Sequence, residues 1–108
     1  PGAMWTAYED ETAAATDDEL VAAPAAGLCL HITDIVVTND ATAAITIKFI
    51  EDTGSAKTQK TGVWKIPASG GIVVNLRTPI KCTAAKNFGY TSTGTSNYSV
   101  FVAGYTAA

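Results

Sequence analysis

The chain has 108 residues, of which 47% are hydrophobic and 16% charged, with a formal net charge of −3. That length is one domain, with enough apolar material for a core and too little charge for a disordered chain. The acidic balance lacks the basic footprint that nucleic-acid binding needs, and no run of about eighteen apolar residues exists to span a membrane.

From the start, Pro1-Gly2-Ala3 resembles a cloning remnant ahead of an initiator methionine, Met4, so residues 1–4 are set aside. Residues 5–18 read as an extended N-terminal acidic arm, and residues 19–108 as a single β domain. Glu9, Asp10, Glu11, Asp17, Asp18 and Glu19 crowd the arm and its junction, either as a solvated face or as a strip that docks on a basic surface. Thr16-Asp17-Asp18-Glu19 has capping-box spacing, but Pro24 stops any helix too soon, which favours a first strand at Glu19–Ala23.

Gly27 opens a long second strand. Leu28, Leu30 and Ile32 share one parity and Ile35 and Val37 the other, so the buried face flips near Thr33-Asp34, as a β-bulge would do. A turn at Thr38-Asn39-Asp40 leads to a third strand, Ala44–Ile50, where Ile45, Ile47 and Phe49 alternate with Thr46 and Lys48. After the Glu51–Ser55 loop, Lys57–Thr61 and Val63–Ile66 read as one strand interrupted at Gly62. Pro67-Ala68-Ser69-Gly70-Gly71 turns the chain into Ile72–Leu76. Pro79 bars a central ladder at its own position, which leaves Ile80–Thr83 as a short separate strand.

Phe88–Ser92 follows, then the turn Thr93-Gly94-Thr95-Ser96-Asn97, then a last strand, Tyr98–Tyr105. Turn signals at roughly 8–12-residue spacing predict an all-β, antiparallel, jelly-roll-like sandwich of about eight strands. The last strand is apolar on both parities: Tyr98, Val100 and Val102 on one, Phe101, Ala103 and Tyr105 on the other. A strand with no polar face is either central with the arm folded over its outer side, or part of a subunit interface.

The residues offer little chemistry. His31 is the only histidine, lies mid-strand beside Cys29, and has no second histidine with which to hold a metal, so its role reads as structural. Asp34, Asp40, Glu51 and Asp52 flank strand ends, where acids form turns more often than catalytic pairs. Asp17-Asp18 and Glu51-Asp52 are adjacent pairs without calcium-loop spacing, and Gly70-Gly71 precedes neither a helix nor a P-loop lysine. No catalytic, cofactor-binding or metal residues are expected. Cys29 and Cys82 read as two buried thiols, with a disulfide between them as the alternative. Immunoglobulin spacing fails, because Trp64 comes far too late after Cys29 and Ile80 stands where the tyrosine belongs. Trp64 is the best candidate for a sugar-stacking platform, against a reading as a core or interface tryptophan. Lys57, Lys60 and Lys65 form a basic strand suited to an acidic arm from a neighbouring copy.

Asp18–Ala23, Gly27-Leu28-Cys29-Leu30-His31-Ile32, Ala44–Phe49, Gly70-Gly71-Ile72-Val73-Val74 and Asn87-Phe88-Gly89-Tyr90 together resemble the small β-sandwich proteins of tailed-bacteriophage virions, the head-decoration and head-fibre type. The likeness covers about residues 17–105. It implies a jelly-roll-like sandwich without enzymatic activity, self-association with a trimer favoured, docking on a phage capsid or other virion protein, and residence in the virion after assembly in the host cytoplasm. On that reading Trp5, Tyr8 and the acidic arm reach along a neighbour, while Phe101 and Tyr105, with Trp64 as a further candidate, pack between subunits. The alternative is a carbohydrate-binding or receptor-binding module that uses Trp64 and exposed tyrosines.

Overall fold

The computed structural model describes residues 3–95 and 97–108; Pro1, Gly2 and Ser96, the last in the expected final turn, lie outside the described residues. The strands are β1 (Met4–Glu11), β2 (Ala15–Val21), β3 (Cys29–Asn39), β4 (Ile45–Glu51), β5 (Thr58–Gln59), β6 (Trp64–Ile66), β7 (Gly71–Lys81), β8 (Phe88–Ser92) and β9 (Tyr98–Ala107). They form two antiparallel sheets, ordered β1-β9-β3-β7 and β2-β8-β4-β5, with β6 also paired to β4. Strands β5 and β6 are two pieces of one edge position, split around Gly62 as the sequence predicts. The first strand pairs with the last, β2 with β8, β3 with β7, and β4 with β5 and β6. This is a long hairpin rolled up into a sandwich, the jelly-roll order.

Period-two alternation decides which side chains enter. Leu30, Ile32, Ile35 and Val37 of β3, Ile45, Ile47 and Phe49 of β4, Phe88 and Tyr90 of β8, and Tyr98, Val100 and Val102 of β9 are all buried between the sheets. The phase flip in β3 is a bulge: its register with both β7 and β9 shifts between Ile32 and Asp34, so Ile32 and Ile35 both point inward. Phe49 stacks on Phe88 with ring centroids 5.6 Å apart and planes 8° from parallel. Each such side chain contributes about 1.5–3 kcal/mol by leaving water.

The expected N-terminal arm is a correction. Residues 4–11 are an edge strand in full antiparallel register with β9, Met4 opposite Tyr105 through Glu11 opposite Tyr98. The strand predicted at Glu19–Ala23 begins earlier, at Ala15. Backbone pairing with β9 outweighs the polar composition of the segment, because an edge strand needs only one face apolar and here Trp5 and Ala7 supply it. The N-terminal segment therefore lies beside the last strand and not over its outer side. Strand β7 runs unbroken through Pro79, since it is an edge strand whose pairing with β3 lapses between Asn75 and Ile80.

Asn39, which is buried, ties three segments together. Its Nδ2 donates to the carbonyls of Ala43 (2.9 Å) and Pro67 (3.1 Å), and its Oδ1 accepts from the Ala41 amide at 3.0 Å. The residue read as a turn former thus satisfies the backbone of two turns at once.

Gly104 is required by a close approach. A Cβ there would collide with the His31 carbonyl oxygen and press on the Trp5 ring, because β9 is flanked by β1 and β3 at that point. Gly104→Ala is therefore expected to destabilise the fold by about 1–3 kcal/mol in chemical denaturation, the usual cost of overpacking, with Trp5 fluorescence changing alongside.

Candidate functional site

The outward face of the β1-β9-β3-β7 sheet is a grid whose rows follow from register. One row runs Tyr8, Phe101, Val36, Val73 across the four strands, each opposite the next. Two residues further along lies Thr6, Ala103, Asp34, Asn75, and beyond it Met4, Tyr105, His31, Lys81. On the other side of the first row stand Asp10, Ser99, Thr38 and Gly71. Tyr8 (69% exposed), Val73 (67%) and Met4 (84%) are among the most exposed large apolar side chains described. An unbroken apolar row across a whole sheet face is unlike the polar outer face that a solvated sandwich presents.

The opposite outer surface is different in kind. Thr46, Lys48, Thr91 and Thr93, with the apolar Ile47 and Val63, line a shallow depression there. Thr46 and Thr93 hydroxyls bond one another at 3.0 Å.

The Asp34 carboxylate on the first face is satisfied within the chain. Asn75 Nδ2 donates to Asp34 Oδ1 at 2.6 Å and Thr33 Oγ1 to Asp34 Oδ2 at 2.8 Å. Asn75 first, then Thr33, hold the Asp34 carboxyl below the ordinary carboxylate range. Tyr105 stacks on His31 with centroids 4.6 Å apart and planes 7° from parallel. His31 Nε2 is buried and has no hydrogen-bond partner among the described residues.

The five predicted interface residues separate accordingly. Tyr8, Phe101 and Tyr105 come together on this face. Trp5 points to the other side of β1, packs against the core, and its Nε1 donates to Thr106 Oγ1 at 3.1 Å. Trp64 is half-buried and leans on Phe49 with centroids 5.6 Å apart, so it belongs to the margin of the core and offers no free stacking platform.

A second cluster was not foreseen. Tyr90, buried between the sheets, places its hydroxyl 2.8 Å from Glu9 Oε1 and 2.7 Å from Glu11 Oε2. Asp18 joins them, and the three carboxylates offer oxygens within 4.8 Å of one another, the one grouping among the described residues with the spacing to hold a cation. The bulge in β2 brings Asp18 in: Asp17 takes a left-handed φ of 48° and the register shifts between Ala15 and Asp18, so Asp18 falls opposite Tyr90. Glu9-x-Glu11 at strand spacing was the available signal, but with the segment read as an arm it pointed to solvent. A single phenolic proton serves only one carboxylate at a time, so the acids crowd one another around it. Burial first, and then Asp18 and Glu11, hold the Glu9 carboxyl above its ordinary range, with the Tyr90 hydroxyl opposing. Burial and both glutamates push the Tyr90 hydroxyl well up.

The lysine strand meets acids of its own chain. Lys57 Nζ lies 3.2 Å from Asp17 and Lys60 Nζ 3.6 Å from Glu51, so two of the three lysines expected to receive a neighbour's arm are already engaged. Glu51 is buried; burial pushes its carboxyl up, but the Thr83 amide at 2.8 Å and Lys60 outweigh this and hold it low. Cys29 and Cys82 are both free and buried, and burial pushes the Cys82 thiol up to about 12, with the Glu51 charge adding to it.

No protein family and no curated protein matches the chain.

The half-buried Glu9 and the buried Glu51 predict opposite pH effects. With a raised folded-state value, Glu9 favours the fold while protonated, and that contribution falls as pH rises from the ordinary glutamate range through the raised value. With a lowered value, Glu51 contributes above the ordinary range and is lost as pH falls through the lowered one. Glu9→Gln should therefore raise the thermal midpoint at neutral pH, by a few degrees for a gain on the order of 1 kcal/mol. The gain should shrink to nothing towards pH ~4, where the wild-type carboxyl is itself protonated.

Proposed function

We propose that this protein is a non-enzymatic structural component that works by self-association through the outer face of its β1-β9-β3-β7 sheet. The observation that carries the reading is the apolar row Tyr8–Phe101–Val36–Val73, which crosses every strand of one sheet on its outer face, its ends Tyr8 and Val73 exposed and Phe101 and Val36 half-buried. Burying such a row against another protein removes apolar area from water at about 25 cal/mol per Å² before the costs of association. The jelly-roll order agrees with this use, since its close-packed body holds the presenting strands rigid.

The setting on a tailed-phage virion, as a capsid-decorating or head-fibre protein, rests on the resemblance carried by residues 17–105 and is a fold-level analogy. It adds a capsid or other virion protein as a second partner. A role in carbohydrate binding loses its main support with Trp64 leaning on Phe49.

Self-association is tested by sedimentation velocity over a dilution series. Wild-type protein is expected to sediment as an oligomer whose population falls on dilution, and Phe101→Glu, which places a charge in the middle of the row, as a monomer with unchanged circular dichroism. A wild-type monomer up to the solubility limit overturns the reading.

A further inference from the structure

Resting on that reading, we infer that the partner on this face is a second copy of the chain, bound face to face about a two-fold axis that runs parallel to the strands midway between β9 and β3. Such an axis exchanges β1 with β7 and β9 with β3 while keeping each row level with itself. Tyr8 then lies over the second copy's Val73, and Phe101 over its Val36. In the other apolar row Tyr105 lies over the second copy's His31, aromatic on aromatic, and Met4 over its Lys81, whose stem is apolar.

The charges also tolerate this arrangement. Asp10 comes over Gly71 of the second copy, and Asp34 over Ala103, so no carboxylate lies directly over another, the nearest like pair being the two Asp34 residues on either side of the axis. Asp34 tolerates being covered, because Asn75 and Thr33 already satisfy its carboxylate and only the small Ala103 stands opposite. An in-plane axis running across the strands along the first row sets Tyr8 on Tyr8 but leaves Tyr105 and His31 facing the loops beyond Asp10 and Thr38. An axis across the strands along the Asp34 row would also bring the two apolar rows together, but it sets Asp34 directly on Asp34 of the second copy, which the axis along the strands avoids.

The size suffices. Four strands about 4.8 Å apart, each contributing four outward residues about 6.8 Å apart from the Asp10 row to the Met4 row, give a face on the order of 500 Å² per copy, or about 1,000 Å² in all, the lower limit for a specific interface. Two twisted sheets pack in this aligned way, about 30° apart, inside any β-sandwich. The dimer repeats outside the molecule the packing that already holds its two sheets together. A closed two-fold pair differs from the trimer that the phage resemblance implies, and the two are separable by mass.

The test uses the exposed ends of the row, Tyr8 and Val73, whose replacement leaves the core untouched. Tyr8→Lys and Val73→Glu, each made alone, are expected to weaken the dimer by about tenfold or more. Combined in one chain they are expected to restore it, because each lysine then lies over the second copy's glutamate, and the restored dimer is expected to weaken with added salt. Equal thermal midpoints across the set show that the fold is unaffected. A wild-type trimer, a dimer indifferent to both single changes, or single changes without mutual rescue overturns the two-fold face-to-face arrangement while self-association stands. A wild-type monomer overturns self-association itself.

Discussion

The antiparallel pairing of β3 with β9 is the constraint on which the rest depends. Its register, from Cys29 opposite Ala107 to Asn39 opposite Tyr98, sets both faces of the β1-β9-β3-β7 sheet at once. Inward it aligns Ile35 with Val102 and Val37 with Val100, the centre of the core. Outward it aligns Val36 with Phe101 and His31 with Tyr105. A slip of one residue would exchange the two sets, burying the histidine and exposing the valines. The core therefore fixes the outer rows, and what the protein presents to a partner is a consequence of how it packs inside.

The β-bulges re-aim particular side chains within that frame. The shift at Ile32/Asp34 allows β3 to bury isoleucines on both sides of the bulge and turns Asp34 outward to meet Asn75. The shift in β2 turns Asp18 inward onto the carboxylates of β1. One bulge leaves a charge satisfied at the surface and the other gathers acids around a buried phenol. The second arrangement joins the two sheets at one edge, since Glu9 and Glu11 belong to β1, Asp18 to β2 and Tyr90 to β8. The stability of that edge therefore carries a proton dependence opposite in sign to the Glu51 site.

Turns and edges complete the roll by local means. Asn39 holds the β3–β4 and β6–β7 turns together, and Tyr98 donates from its hydroxyl to the Ala13 carbonyl at 2.9 Å, closing the β1–β2 connection. Lys57 with Asp17 and Lys60 with Glu51 clip the split β5–β6 edge to its neighbours. The exposed one of these pairs, Lys57–Asp17, contributes little in water. The buried carboxylate Glu51 matters more, because its lone pairs are met by the Thr83 amide.

The sequence by itself determined the class of fold, most strand positions and the β3 bulge, because period-two alternation and turn residues are local signals. Phe88–Ser92 was located to the residue, and the double apolar parity of Tyr98–Tyr105 marked the surface that became the candidate site. Strand partners were illegible: that Met4–Glu11 pairs with β9 follows from a neighbour in space about a hundred residues away, and a charged segment reads as solvated until that neighbour is known. For the same reason Trp5, read as part of the arm, and Trp64, read as a stacking or interface candidate, went to the core side of their strands, while Tyr8 went to the outer face. The acids around Tyr90 and the row Tyr8–Phe101–Val36–Val73 exist only through cross-strand register, which tertiary packing alone sets.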